Sequence, residues 1–153
     1  VRLNGNLDKL FIDWIEKNEG KRYDYIMRLQ PTSPLRTAED IDKAIKETIK
    51  KKADSIISVT EAEISPLWMN TLPRNRSMRN FIDKKTAKIN RQQLKTYYRL
   101  NGAIFISKWE HIKKKKTWYG NKAYAYIMEN DHSIDIDSPM DLKISEVYLK
   151  ERK

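Results

Sequence analysis

The sequence predicts an α/β domain with a mixed, mostly parallel sheet, and three observations carry that class. Between Leu7 and Thr60, segments with helical spacing alternate with short strand-like runs, the pattern of βαβ units. Gly102-Ala103-Ile104-Phe105-Ile106 restores a core strand after an irregular stretch. Ser133-Ile134-Asp135-Ile136-Asp137 then alternates apolar and acidic residues and runs straight into a helix start. The 153 residues and 39% apolar content suit one domain with a proper core.

Leu7, Leu10, Phe11, Trp14 and Ile15 recur at spacings of three and four, which predicts an amphipathic helix ending near Gly20. Tyr25–Gln30 reads as a strand, stopped by Pro31 and Pro34, so Gln30 sits where a strand ends and a loop opens. Thr37 caps a second helix, with Asp40 three residues on and Ile41, Ala44, Ile45, Thr48 and Ile49 along one face. Lys50-Lys51-Lys52 closes it where cations favour the dipole. Ser55–Thr60 is a β-branched run and a buried strand. Residues 61–100 hold Pro66, Trp68 and Pro73 without a helical period, and read as short strands and loops leaving the main sheet. A short helix around Lys108–Lys116, a strand at Ala123–Met128, the acidic strand, and a helix from about Met140 to Lys150 complete the pattern. That last helix carries Leu142, Ile144, Val147 and Tyr148. Ser138, Pro139 and Asp141 form its start signal, an N-cap, a first-position proline and a capping carboxylate.

The net charge of +10 is unevenly spread. Between Thr71 and Lys95 there are eight basic residues, Arg91 among them, against Asp83 alone. Such a segment suits nucleic acid, a nucleotide or an acidic sugar, or is a solvated arm. With no cysteine there is neither a disulfide framework nor a thiolate nucleophile, and a cytoplasmic setting fits. No apolar run approaches the ~20 residues that span a bilayer, so no membrane partner is expected. The glycines lie too far apart for a phosphate cradle, and His111 and His132 are isolated, read as surface residues.

What remains is a set of polar residues at strand ends: Gln30, Arg91, Arg99, Asn101, Asp135 and Asp137. In open α/β sheets ligands bind beyond the carboxyl ends of strands. Asp135 and Asp137, two apart on a strand, point the same way and suit either a hard cation with a phosphate substrate or a solvated acidic edge.

Three motifs occur in order: Leu29-Gln30-Pro31-Thr32-Ser33-Pro34-Leu35-Arg36; Arg91-Gln92-Gln93 followed by Arg99-Leu100-Asn101-Gly102-Ala103-Ile104; and Ser133–Asp137. Together they resemble the acylneuraminate cytidylyltransferases (CMP-sialic acid synthetases) and relatives acting on other nonulosonic acids, from roughly Tyr25 to Leu149. The resemblance implies a nucleotide-diphospho-sugar transferase type of three-layer sandwich with a protruding dimerisation arm. It implies transfer of CMP from CTP to the anomeric hydroxyl of the acid sugar, with release of pyrophosphate. By motif, Gln30 contacts the sugar, and Arg91, Arg99 and Asn101 lie around it and its carboxylate. Phe105 stands where a tyrosine is often found, Trp118 and Tyr119 match an aromatic pair on the acylamino side, and Asp135 and Asp137 hold Mg²⁺. The basic excursion matches the arm of a homodimer, so Arg91 would serve the neighbouring subunit.

The expected organisation is one partial catalytic domain, with 1–60 and 101–153 in the main sheet and 61–100 as the excursion. Family members begin with a strand and an Arg-Gly-Gly-Ser-Lys type loop that receives CTP, and nothing in Val1–Gly20 resembles it. The chain therefore reads as the C-terminal two-thirds of such an enzyme, expected to be inactive alone. Lys95 stands where a proline is common, and Trp68 near where some members carry a lysine. The reading from another class is a basic nucleic-acid-binding module, with Tyr97 and Tyr98 beside Arg91 and Arg99 as a stacking platform. Against three ordered motifs, nucleic acid is not the expected partner.

Overall fold

Helix formation in this chain is set first by its caps. Thr37 accepts the Asp40 amide while the Asp40 carboxylate accepts the Thr37 amide, and this capping box starts α2 (Ala38–Lys50). Ser138 and Asp141 repeat the device at the head of α4 (Pro139–Glu151), with Pro139 in the first turn. Helix α1 (Asn6–Glu19) instead starts at Gly5, whose backbone lies so close to the Lys116 backbone that a Cβ would collide with it, and stops at Gly20 in the left-handed region. A short α3 (Trp109–Lys115) packs against α1.

The computed structural model describes residues 5–152, apart from the Arg91 side chain. Four strands form one sheet: β1 (Tyr25–Leu29), β2 (Ser55–Glu61), β3 (Tyr98–Lys108) and β4 (Ala123–Ile127), in the order β1-β3-β2-β4. β2 and β4 run parallel, Ser55 opposite Ala123 and Val59 opposite Ile127. β1 and β3 run antiparallel, Tyr25 opposite Lys108 and Leu29 opposite Ile104. The sheet is thus mixed, as expected, with one parallel and one antiparallel pairing among those described. A fully buried strand shows the same unbroken apolar run whichever way it points, so the direction of β3 leaves no trace in its pattern.

Alternate strand residues serve two apolar clusters. Ile56, Ile104, Ile106 and Met27 pack with Ala44 and Ile41 of α2. Ile57, Phe105 and Ile26 pack with Ile12 and Ile15 of α1 and Trp109 and Ile112 of α3. The chain divides into two compact units, one comprising residues up to Thr60 and from Leu100 onward, the other Glu61–Arg99. The second unit contains three-residue 3-10 turns at Pro66–Trp68, Thr86–Lys88 and Arg91–Gln93, and none of its described side chains is buried.

Two expectations are corrected. The apolar stripe of α1 faces outward: Leu7, Leu10, Phe11 and Trp14 are each more than half exposed, while Asp8, Ile12 and Ile15 turn inward. The cause is Asp8, which enters the interior to accept the Trp118 indole N–H (3.1 Å) and pair with Arg28 (3.1 Å). In α4, Leu142, Ile144, Val147 and Tyr148 are all exposed and Ser145 is the buried residue. Residues 133–137 form no strand. They run as irregular chain after a 3-10 turn at Asn130–His132, and the Ile136 amide bonds the Thr32 carbonyl (2.8 Å) of a loop.

Candidate functional site

Gln30 follows the last residue of β1 and opens a loop whose path is fixed by backbone groups. The Ser33 amide bonds the Gln30 carbonyl (3.3 Å), and the Arg36 guanidinium bonds both that carbonyl (3.2 Å) and Ala103 of β3 (2.8 Å). Burial pushes the Arg36 pKa below its ordinary value, with neighbouring Asp40 opposing the shift. Gln30 Oε1 and Ser33 Oγ are buried and have no hydrogen-bond partner within the protein. A buried amide oxygen left in that state costs about 1–3 kcal/mol, so the loop calls for a donor from outside.

Opposite this loop lies the segment bearing the two carboxylates. The Ile136 amide on Thr32 sets Asp135 and Asp137 on either side of the junction. Asp135 is half-buried and its Oδ1 is another buried atom without a partner, whereas Asp137 is exposed. Asp141 is not available in the same way. Its Oδ2 accepts the amides of Asp137 (3.2 Å) and Ser138 (2.7 Å) and the Ser138 hydroxyl (2.7 Å). These bonds, the Ser138 hydroxyl first, hold its carboxyl below the ordinary value. Among the described residues no group of three or more acidic, histidine or cysteine side chains comes together for a metal. The donor set is therefore a pair of carboxylates, one with an uncompensated oxygen, and this fits Mg²⁺, which takes one or two carboxylates and completes its shell with phosphate and water.

Asn101 lies behind this junction, fully buried. Its Oδ1 accepts from Ser58 Oγ (2.6 Å) and the Ala103 amide (3.2 Å), and its Nδ2 donates to Ser133 Oγ (2.9 Å) and reaches Met128 Sδ (3.3 Å). Its hydrogen-bonding capacity is spent within the protein. Ser133 in turn donates to the Glu129 carbonyl (2.6 Å), so Asn101 anchors the root of the carboxylate segment. Phe105 and Trp118 are also fully buried, in tilted contact at 5.3 Å, with the Arg28 guanidinium 4.3 Å from the Phe105 ring centre and 5.0 Å from that of Trp118. Tyr119 is open to solvent and edges a recess of about 160 Å³ that also includes Val59, Leu100 and Tyr124.

Gln30, Asn101, Phe105, Trp118, Tyr119, Asp135 and Asp137 thus belong to one unit. Arg91 and Arg99 belong to the other. There Arg99 makes a two-pronged pair with Glu63 (3.0 and 2.7 Å), which lowers the Glu63 pKa. The Arg91 side chain lies outside the described residues.

Sequence reasoning misses the partners that hold the site together. His132, expected as an isolated surface residue, places Nδ1 2.8 Å from Asp40 Oδ2. Asp40 also lies 3.5 Å from the Tyr126 hydroxyl. Burial raises the Asp40 pKa, but the Thr37 amide and hydroxyl and His132 outweigh it, and the net shift is downward. Tyr126 is pushed up to about 12, first by burial and then by the Asp40 charge. No local signal links residues 40 and 132. Only the capping box, which already marks Asp40 as an acceptor, points toward this cluster.

No family model matches the chain. It is 33% identical over 133 residues to the N-acylneuraminate cytidylyltransferase of Escherichia coli O18:K1:H7, an overlap of 86% of this chain and 31% of that protein. It is 30% identical over 135 residues to the CMP-N,N'-diacetyllegionaminic acid synthase of Legionella pneumophila, 84% of this chain and 55% of that protein. A further match, 33% over 110 residues, is to the N-acylneuraminate cytidylyltransferase of Streptococcus agalactiae serotype V, 72% of this chain and 26% of that one. The chain spans about a third of the first relative and about half of the second. Over most of its own length, the chain is thus a relative of the acylneuraminate cytidylyltransferase family.

Proposed function

We propose that this chain forms the acid-sugar and metal end of a cytidylyltransferase, which moves CMP from CTP to the anomeric hydroxyl of a sialic or related nonulosonic acid. One observation supports this above the others: the Thr32–Ile136 bond brings the loop carrying Gln30 against the segment carrying Asp135 and Asp137, each side presenting a buried oxygen without a partner. A polyol offers hydroxyl donors to Gln30 Oε1, and a cation takes up the free oxygen of Asp135.

In the reaction the anomeric oxygen forms a bond to the α-phosphorus of CTP while the bond to the bridging oxygen of pyrophosphate breaks. The proton of the hydroxyl passes to a general base as that bond forms. Asp135 and Asp137 hold Mg²⁺, which when bound supplies charge neutralisation at the phosphates. Gln30 and Tyr119 orient the sugar. Asn101, Phe105 and Trp118 act from behind, the first by fixing Ser133 and the aromatic pair by filling the layer beneath. By motif, Arg91 and Arg99 are the cationic residues suited to the substrate carboxylate.

The fold fits a nucleotide-diphospho-sugar transferase-like sandwich, because α2 and the α1–α3 pair pack on alternate residues of the same strands. The second unit fits a dimerisation arm. Its Ile64, Met69, Leu72 and Met78 are each more than half exposed, and a second copy would cover them. Among the described residues no helix is long and apolar enough to cross a membrane, and we assign the reaction to the cytoplasm, where CTP is made.

The test uses the complete protein that contains this chain, assayed for CMP-sugar formation from CTP, Mg²⁺ and a panel of nonulosonic acids. Asp135→Asn and Asp137→Asn are each expected to lower kcat by about 10³-fold, the order of losing one electrostatic element of an active site, with unchanged melting temperature. Turnover at the unmodified rate in both variants would remove the metal role and, with it, this reading.

A further inference from the structure

The loop after Gln30 and the segment around Asp135 are both irregular chain, joined directly by the single Ile136–Thr32 backbone bond and by no ladder, so one further tie decides how firmly their spacing is held. One side chain outside both touches each. Arg152, just past the last turn of α4, donates from Nη1 to the Leu35 carbonyl (2.8 Å) and from Nη2 to the Asp131 carbonyl (3.0 Å). The Asp131 carboxylate is farther away, at 3.7 Å from Nη2. Leu35 is fully buried in the first loop, and Asp131 belongs to the 3-10 turn ahead of the carboxylates.

A guanidinium is a rigid planar fork, so two carbonyls held on its two amino groups are held at a set separation and angle. A single carbonyl–guanidinium bond would only steady one loop. Held on both prongs, the loops become one body with α4.

We infer that Arg152 is a positioning residue: by clasping Leu35 and Asp131 it sets the spacing between the sugar-contacting loop and the carboxylate segment. This rests on the reaction proposed above, although Arg152 itself touches no substrate. A plainer role is available, since a cation at the C-terminal end of α4 complements the helix dipole. Lysine would serve that role equally but cannot reproduce the fork.

The experiment measures hydrogen exchange in the complete protein without substrates, alongside steady-state kinetics. Arg152→Lys and Arg152→Gln are both expected to speed exchange in peptides covering 30–36 and 131–137 by about tenfold or more, the equivalent of ~1.4 kcal/mol. Peptides from β2 and β3 should stay at the original rate. Asp131→Ala, which keeps the backbone carbonyl, should behave as the unmodified protein. In turnover, both Arg152 variants should lose at least tenfold in kcat with less than threefold change in KM for CTP. Original exchange rates in Arg152→Lys would show that charge alone suffices and overturn the clasp. A matching effect from Asp131→Ala would overturn it in favour of an ion pair, and uniform acceleration across the strands would reduce it to general stability. Accelerated loop exchange with kcat unchanged would overturn the positioning role. If the unmodified protein turns over no nonulosonic acid, the reaction and the positioning role fall together, while the exchange result still decides whether the clasp exists.

Discussion

Asn101→Ala removes a side chain that joins β2, β3, the chain just after β4 and the root of the carboxylate segment. The asparagine is fully buried, so its partners lose their bonds away from bulk solvent. Its deletion takes the acceptor from Ser58 Oγ and the Ala103 amide, and the donor from Ser133 Oγ. Ser58 Oγ still accepts the Ile104 amide (2.8 Å), and Ser133 still donates to Glu129, so those hydroxyls are only partly stranded. The Ala103 amide is taken as fully stranded, since Asn101 Oδ1 is its described acceptor. At about 1–3 kcal/mol for each buried polar group left unpaired, and allowing the two hydroxyls half of that, the loss sums to about 2–6 kcal/mol. For a domain near this size 1 kcal/mol moves the melting temperature by about 2–4 °C, so a fall of about 10 °C is expected. Thermal unfolding followed by circular dichroism measures it. A double-mutant cycle with Ser133→Ala should return a coupling of about 1 kcal/mol, because the two residues share a bond. A fall of under ~2 °C, or additive effects in the cycle, would refute the placing of Asn101 as an internal junction and return it to the substrate.

Two further outcomes follow from the same contacts. Changing Leu10, Phe11 or Trp14 to serine should alter stability by less than about 1 kcal/mol each in urea titrations, whereas Ile12→Ala should cost about 2–5 kcal/mol; equal costs would show that the outward stripe of α1 is buried after all. Asp40 has its folded pKa below the ordinary value, so its stabilisation is present above about pH 4 and drains away as pH falls through the folded pKa. Asp40→Asn should therefore be less stable by about 1–2 kcal/mol at pH 7, with the gap narrowing by pH 3, and a constant gap across that range would contradict the account of Asp40 as an ionised acceptor of the Thr37 bonds.

How much of this is legible in the residues depends on whether a signal is local. Two prolines in four residues place Gln30 at a strand end, and both capping boxes are visible as Thr-x-x-Asp and Ser-x-x-Asp. The ordered motifs mark Gln30 and the two aspartates. The facing of α1 is not legible, because a helical period identifies a stripe but not which side carries the decisive contact. Asp8 reverses the expectation through residues 28 and 118, far along the chain. The acidic segment misleads for a related reason. Its alternation is real, but Ile136 spends its amide on Thr32, and a strand needs a run of such bonds along one neighbour. His132 and Arg152 lie outside every motif; the carbonyls that Arg152 bonds leave no mark in a sequence, and nothing local links His132 to the Asp40 that the capping box marks.

Asp40 sits where several of these arrangements meet. The same carboxylate closes the α2 cap, pairs with His132 and lies by the Tyr126 hydroxyl. Substitutions at 37, 126 and 132 would then be felt through one shared acceptor, and their effects should not add, with deviations of about 0.5–3 kcal/mol. In evolutionary terms these four positions form a small epistatic set. A change tolerated at one of them alters what is tolerated at the other three, so in a library randomised at all four, fit combinations should cluster by the residue at 40.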